Sequence, residues 1–199
     1  MNLIQKVVIE KRGVKIFLNQ IQNLWRPRDD RGLQLELRPS WLYMEGISVV
    51  TDISAFAELV DRDHGLCVLS TIRSDGSVQS SVINAGVMRH PRTGEPAVAL
   101  VAAGGTRKLD HLRADPRATI VVRAGWQWVT VEGVAEIIGL DDQQAGIDEE
   151  TLRLLLRDIF QAAGGTHDDW DTYDRVMAEE RRAAVLIAPG RVYSNPAPG

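Results

Sequence analysis

Six short apolar runs, most of them separated by tight turns, restrict the possible folds of this 199-residue chain more than any other feature. The turn at 74–77 reads Ser-Asp-Gly-Ser, and its Asp-Gly pair supplies the positive φ angles that a type I′ hairpin needs. Gly133 inside the fifth run indicates a bulge or bend. Meandering strands of this kind predict a small, closed antiparallel barrel. The predicted strands cover residues 66–73, 78–87, 97–103, 118–124, 126–138 and 183–188, with 191–193 extending the last.

Helical periodicity appears between these runs. Helices are predicted at 52–60, just after Thr106, at 148–163 and at about 168–182. The longest carries one apolar stripe, formed by Leu152, Leu155, Leu156 and Ile159. The predicted fold class is therefore mainly β with α, a six-stranded antiparallel barrel with flanking helices.

Residues 1–46 do not match the pattern that follows them. They hold two strand-like runs and a charged loop, without the turn chemistry that would pair the strands. Two interpretations stay open: translated upstream sequence with the true start at Met44, or an ordinary N-terminal extension that packs on the domain. Residues 47–195 are predicted to form one domain, and 196–199 a short tail.

Composition favours an ordinary globular protein. The chain is 44% hydrophobic and 25% charged, and its net charge of -4 gives no support to nucleic-acid binding. Its one cysteine, Cys67, lies among apolar residues, which predicts a buried packing thiol and no intramolecular disulfide. Without a signal peptide or an apolar run of about 20 residues, the expected location is the cytoplasm, with no membrane partner.

The familiar motifs of hydrolytic and metal chemistry are missing from the sequence. It has no G-x-S-x-G, no H-E-x-x-H and no paired C-x-x-C, and its four histidines show no ligand spacing. We therefore predict no metal site. An enzyme without its own reactive side chains usually uses the chemistry of a cofactor.

One segment, Gly104–Arg117, combines features of an anion site. Two glycines break the preceding strand, and Thr106 is a good N-cap for the short helix that follows. Arg107 and Lys108 then stand in the first helical turn, beside free backbone N–H groups. Cations are slightly unfavourable there, and a bound phosphate would remove that conflict. The alternative is two solvated basic residues on a surface helix.

Several motifs together resemble the pyridoxamine 5′-phosphate oxidase-like split β-barrel flavoproteins. The resemblance covers roughly residues 50–195, and is greatest to the branch that uses the deazaflavin coenzyme F420 in place of FMN. It rests on Gln79-Ser80-Ser81-Val82-Ile83-Asn84, on Thr106-Arg107-Lys108-Leu109 with Leu112-Arg113-x-Asp115-Pro116-Arg117, and on Gly125-Trp126-Gln127-Trp128. The segment starting at Arg107 is the most specific part. The resemblance implies a split β-barrel and a homodimer with the cofactor at the subunit interface.

The resemblance also implies roles for individual residues. Arg107 and Lys108 would hold the cofactor phosphate, and Thr106, Trp126 and Gln127 are also expected to bind the cofactor. Ser80, Ser81 and Asn84 would hydrogen-bond the ring or the ribityl chain, or else be ordinary solvent-facing strand positions. The vitamin B6 oxidases carry a basic pair on this second strand, which is absent here and argues against vitamin B6 oxidation.

Trp126 and Trp128 alternate with Gln127, so the sequence predicts both indoles on one strand face and Gln127 on the other. The indoles would stack on the cofactor ring or pack in a dimer interface. Exposed apolar strand surface at Trp126, Trp128 and Val98–Val101 predicts a homodimer.

The resemblance implies an F420-dependent oxidoreductase that transfers a hydride to an unsaturated small molecule. Two alternatives remain from the sequence. One is an FMN-binding oxidoreductase of the same fold, and the other is a non-catalytic flavin or deazaflavin carrier.

Overall fold

A computed structural model of the protein describes residues 49–195. The expectations for Met44, for the N-terminal extension and for the tail lie outside the described residues. This described part of the chain contains eight strands: β1 (Val49–Val50), β2 (Leu66–Ile72), β3 (Val78–Asn84), β4 (Gly86–Arg89), β5 (Pro96–Ala102), β6 (Arg117–Ala124), β7 (Gln127–Ile138) and β8 (Ala183–Ser194). The helices are α1 (Ile53–Arg62), α2 (Arg107–Ala114), α3 (Glu149–Ala162) and α4 (Trp170–Glu179). No helix in this part of the chain is long and apolar enough to cross a membrane.

The strands form one antiparallel sheet in the order β3-β2-β6-β7-β8-β5-β4, with β1 paired to the end of β8. The predicted α+β class is confirmed, with seven strands in the ladder instead of six. The difference arises at Ala85, where the predicted strand 78–87 divides into β3 and β4. These two strands lie on opposite edges of the sheet and do not pair with each other. The sheet is therefore not closed, and the prediction of a closed barrel is wrong in this respect.

The division at Ala85 depends on a helix that is distant in sequence. A Cβ atom added to Gly86 would collide with the Ala162 carbonyl at the end of α3. Ala85 itself is fully buried. Close contact with α3 thus fixes the path by which the chain crosses from one edge of the sheet to the other.

The sheet buries apolar side chains on both of its faces. One core cluster lies inside the curved sheet under α1 and α2, and includes Leu69, Ile120 and Val131. A second lies between the sheet and α3, and includes Leu155 and Leu186. β8 contributes alternate residues to the two clusters, which explains its continuous apolar run.

Val98–Val101 therefore cannot supply the exposed surface that the sequence suggested for a dimer. Val98, Ala99 and Leu100 are fully buried in these clusters. The exposed large apolar side chains on strands lie elsewhere: Leu66, Val68, Val78, Val82 and Val134.

The structure shows the geometry of two hairpin turns, one between β2 and β3 and one between β6 and β7. Between β2 and β3 only Gly76 has a positive φ, and the Arg73 N–H donates to the Ser77 carbonyl at 2.8 Å, so the predicted type I′ turn is wrong. The loop instead holds three residues, with glycine at its left-handed position. Between β6 and β7, Gly125 (φ +63) and Trp126 form a two-residue turn, with glycine at the position that a type II′ turn requires.

The bulge that Gly133 indicates is present. The register of β7 against β8 shifts between Glu132 and Gly133. A Cβ atom at Gly133 would collide with the Ala188 carbonyl, so only glycine allows β8 to approach this closely.

Candidate functional site

The first turn of α2 offers unpaired backbone donors. Thr106 is the N-cap residue, but its hydroxyl donates to the Ala103 carbonyl at 2.9 Å and makes no capping hydrogen bond, so that part of the prediction is wrong. Within residues 49–195, the N–H groups of Arg107 and Lys108 have no acceptor. The start of α2 therefore keeps the donors that an anion would accept.

Burial divides the surface of α2 into two flanks. Leu109 and Leu112 anchor the helix in the core. On one flank, Arg113 binds Asp142 through two bonds of 2.8 Å and Asp110 through one of 3.1 Å. These bonds, above all those to Asp142, raise the pKa of Arg113. This flank has its charges matched.

The other flank carries bases without acids to match them. Lys108 is partly buried, and this desolvation lowers its pKa. Among the residues that the structure describes, no carboxylate lies within salt-bridge distance of Lys108 or of the exposed Arg107. A partly desolvated cation without a counter-ion is unfavourable, so these residues fit an anionic group such as a phosphate.

His111 lies on the same flank and was not singled out from the sequence. Its Nδ1 is 3.1 Å from the Thr71 hydroxyl, which is 2% exposed on the inward side of β2. His111 follows Lys108 by three positions and Arg107 by four, the spacing of neighbours on a helix surface. That spacing is the signal by which the sequence could have revealed it.

The three predicted β3 residues do not share one face. Ser80 and Asn84 are exposed on the outer face, whereas Ser81 is half-buried on the inward side, opposite Leu69. Alternation along a strand makes this unavoidable for adjacent residues. The Asn84 amide donates to the His64 carbonyl at 3.1 Å, so it fastens the turn before β2. Their cofactor roles stay predictions.

Strand register assembles a polar row on the outer face of the sheet. Ser80 pairs with Ser70, Ser70 with Thr119, and Thr119 with Glu132. The two serine hydroxyls are 2.8 Å apart. A cavity of about 330 Å³ lies here, with Ser70, Thr119 and Glu132 among its lining residues. The row was missed because it depends on pairing between four strands.

Glu132 carries the only carboxylate of this row. Its Oε1 accepts from the Tyr193 hydroxyl at 2.9 Å. Burial, together with the hydrogen bond to Glu132, raises the pKa of Tyr193. The cavity thus presents hydroxyls that donate or accept and a carboxylate that accepts.

The tryptophans lie at the other end of β6 from α2. Trp126 is 82% exposed in the turn before β7, so strand alternation does not apply to it. Trp128 packs edge-on against Tyr193, with ring centroids 6.0 Å apart. The side-chain amide oxygen of Gln127 accepts from the Arg62 guanidinium at 2.8 Å.

The predicted site residues therefore fall into separate groups. β6 spans roughly 23 Å from the α2 end of the sheet to the turn at Trp126, at about 3.3 Å per residue. Thr106, Arg107 and Lys108 lie at one end, and Trp126 with Gln127 at the other. A single chain does not bring these two groups of residues onto the same small chemical group.

Comparison with known proteins assigns the fold to a family. A family model described as pyridoxamine 5′-phosphate oxidase matches residues 54–194. The chain therefore belongs to the pyridoxamine 5′-phosphate oxidase family. No curated protein matches the sequence.

Several solved structures are similar to this chain at low sequence identity. The conserved hypothetical protein Rv2991 from Mycobacterium tuberculosis is 21% identical, with a TM-score of 0.53, over 76% of this chain and 92% of that one. A structure named F420 Reductase is 16% identical, with a TM-score of 0.47, over 68% and 93%. A pyridoxamine 5′-phosphate oxidase-related, FMN-binding protein from Nostoc punctiforme is 14% identical, with a TM-score of 0.49, over 70% and 80%. The similarity to Rv2991 shows a shared fold alone.

Proposed function

We propose that the protein is an F420-dependent oxidoreductase that transfers a hydride to an unsaturated small molecule. It acts in the cytoplasm as a homodimer, with the cofactor at the subunit interface. The observation that carries the proposal is the partly desolvated Lys108, which has no carboxylate partner in the described part of the chain. Family membership supports a phosphate-bearing redox cofactor at this position.

The residues of α2 hold the phosphate in this proposal. Lys108 and Arg107 supply the charge, and their backbone N–H groups supply hydrogen bonds. The bound deazaflavin would supply the hydride at C5 of its ring. In this proposal the protein binds and orients the cofactor and the substrate and excludes water, while the cofactor supplies the redox chemistry.

The outer face of the sheet supports both the substrate site and the homodimer. Val82 is 69% and Val78 60% exposed, on either side of Ser80. A second copy covering these valines would close the cavity lined by Ser70 and Glu132. A two-fold interface would also allow the turn at Trp126 of one protomer to approach the α2 end of the other.

The same phosphate contacts would hold FMN, so an FMN-dependent oxidoreductase is the second candidate. A carrier without turnover is the third. All three require the α2 phosphate site, and they differ in cofactor and in catalysis.

Titration of the purified protein with F420 and with FMN, followed by fluorescence quenching, tests the proposal. Micromolar binding of F420 but not of FMN supports it, and steady turnover separates an enzyme from a carrier. Light scattering checks the assembly, since a mass near the 22.0 kDa of one chain at micromolar concentration contradicts the homodimer. Absence of binding to both cofactors refutes the whole proposal.

A further inference from the structure

We propose that His111 is a third cationic contact for the anionic group at the start of α2, so that protonating its imidazole tightens cofactor binding. This inference rests on the proposed function, because it concerns the same phosphate site. It adds to Arg107 and Lys108 a histidine, the residue type that most often serves as a pH-dependent cation in proteins.

Position on the helix supports the inference. His111 stands one turn beyond Arg107 and Lys108, and like Lys108 it is half-buried, on the flank whose bases are unmatched. On the opposite flank, the charge of Arg113 is paired with that of Asp142. An anion bound by Lys108 therefore lies on the side of α2 that carries the imidazole.

Thr71 fixes the orientation of the imidazole. Its hydroxyl lies 3.1 Å from Nδ1 and is buried, so the ring is held by a rigid strand. A hydroxyl can donate to a neutral Nδ1 or accept from a protonated one. Protonation therefore preserves the bond to Thr71, and Nε2 remains directed away from it. Within residues 49–195, Nε2 of His111 has no hydrogen-bond partner.

The charged groups on α2 near His111 are Arg107, Lys108, Asp110 and Arg113. Asp110 is bound by Arg113 at 3.1 Å on the opposite flank, and Asp115 follows as the C-cap residue. Asp115 is bound by the Arg117 side chain, with Nη2 and Oδ2 2.6 Å apart. Its charge is therefore matched locally.

The two strands packed against α2, which are β2 and β7, carry few titratable groups. The only titratable group on β2 is the buried thiol of Cys67, whose pKa burial raises to about 12. On β7, Glu132 is bonded to Tyr193, and Glu136 is bonded to His90 and to an arginine. The acidic groups of these strands are therefore held by partners other than His111.

The test measures the affinity of FMN and of F420 at about pH 5.5 and about pH 8, a range that spans histidine protonation. Riboflavin, which has the ring of FMN without its phosphate, is the ligand control. The variants are His111→Asn, which keeps a polar side chain without the charge, and His111→Lys, which carries a permanent charge. His64→Asn is the matched control, since His64 is exposed and has a left-handed backbone (φ 55) that asparagine tolerates.

When the pH falls from about 8 to about 5.5, we expect the affinity for FMN and F420 to rise about tenfold more in the wild type than in His111→Asn. The phosphate of FMN titrates near pH 6, but equally in both proteins, so the comparison removes it. His111→Lys should bind at high pH about as tightly as the wild type does at low pH. Riboflavin binding should not distinguish the variants, and His64→Asn should behave like the wild type.

A separate measurement tests whether Thr71 positions the His111 imidazole. Thr71→Val should reduce the pH dependence, whereas Thr71→Ser should keep it. NMR titration of the His111 imidazole should show its pKa rising when FMN is added, because the bound anion favours the charged form.

Three results overturn the inference. Equal pH ratios in wild type and His111→Asn would refute it while the proposed function stands. An equal response to riboflavin and FMN would place His111 away from the phosphate. Absence of FMN and F420 binding in the wild type and in His111→Lys would refute the proposed function, and this inference with it.

Discussion

Two basic clusters of this protein use their charges in opposite ways. Between α3 and α4, Arg153 and Arg157 both bind Asp174, with contacts of 2.6 and 2.5 Å, and Arg157 also lies 5.0 Å above the ring of Trp170. At the start of α2, Lys108 and Arg107 have no acid in the described part of the chain. Matched charges hold helices together, whereas unmatched charges in a partly desolvated position are free to bind a ligand.

The largest expected effect concerns the unmatched cluster. Lys108→Ala should weaken binding of the phosphate-bearing cofactor by about 10- to 100-fold, because a charge-assisted contact contributes roughly 1.5–3 kcal/mol. The free energy of unfolding should stay the same or rise slightly, because the folded state disfavours the charged form of Lys108. Isothermal titration and urea unfolding measure the two quantities. Arg175→Ala, an exposed cation on α4, is the control for lost charge. Unchanged cofactor affinity would remove the phosphate site.

In the matched cluster around Asp174, a substitution should lower stability and leave cofactor affinity unchanged. Asp174→Ala leaves Arg153 with Glu150 alone and deprives Arg157 of its carboxylate partner. We expect the free energy of unfolding to fall by about 2 kcal/mol, as removing one partner of a partly buried ion pair strands the other. Cofactor affinity should not change. A variant as stable as the wild type would show that this network contributes nothing measurable.

A third site extends the comparison to the buried His90. Glu136 accepts from Arg92 at 2.5 Å and lies 2.9 Å from Nε2 of His90. Because the Arg92 side chain is 39% exposed, Arg92→Ala should lower the free energy of unfolding by only about 0.5–1 kcal/mol. It should leave cofactor binding untouched, so it serves as a second control for Lys108. Weaker cofactor binding in this variant would contradict the assignment of the phosphate to α2.

The difference between the clusters is visible only in part from sequence. Arg107 and Lys108 stand out because their motif places two cations in a first helical turn. Asp174 does not stand out, since its partners on α3 are 17 and 21 positions away and meet it only after packing. The same reason hid the contact between His111 and Thr71, which joins residues 40 positions apart.

The fold was predictable wherever local pattern decides it. Leu152, Leu155 and Ile159 on one stripe predicted α3, and glycine at 133 predicted the bulge in β7. The break at Ala85 was not predictable, because it depends on α3 reaching Gly86. The polar row that ends at Glu132 was hidden likewise, because register between strands is a tertiary property.

The smallest expected effect lies at the C-terminal end of α2, where a matched pair meets water. Arg117 binds Asp115, and this bond lowers the pKa of that carboxyl to about 2. Because the pKa in the folded state is depressed, the stabilisation is present above the ordinary value of 3.8 and is lost as pH falls toward about 2. Asp115→Asn should therefore show a shallower loss of stability across that window, in urea unfolding at stepped pH. Above it, the variant should be less stable than the wild type by a small margin, because the pair is exposed. An unchanged slope would mean that the pair does not persist in solution, and that matched charges matter in this protein only where they are partly buried, as at Asp174.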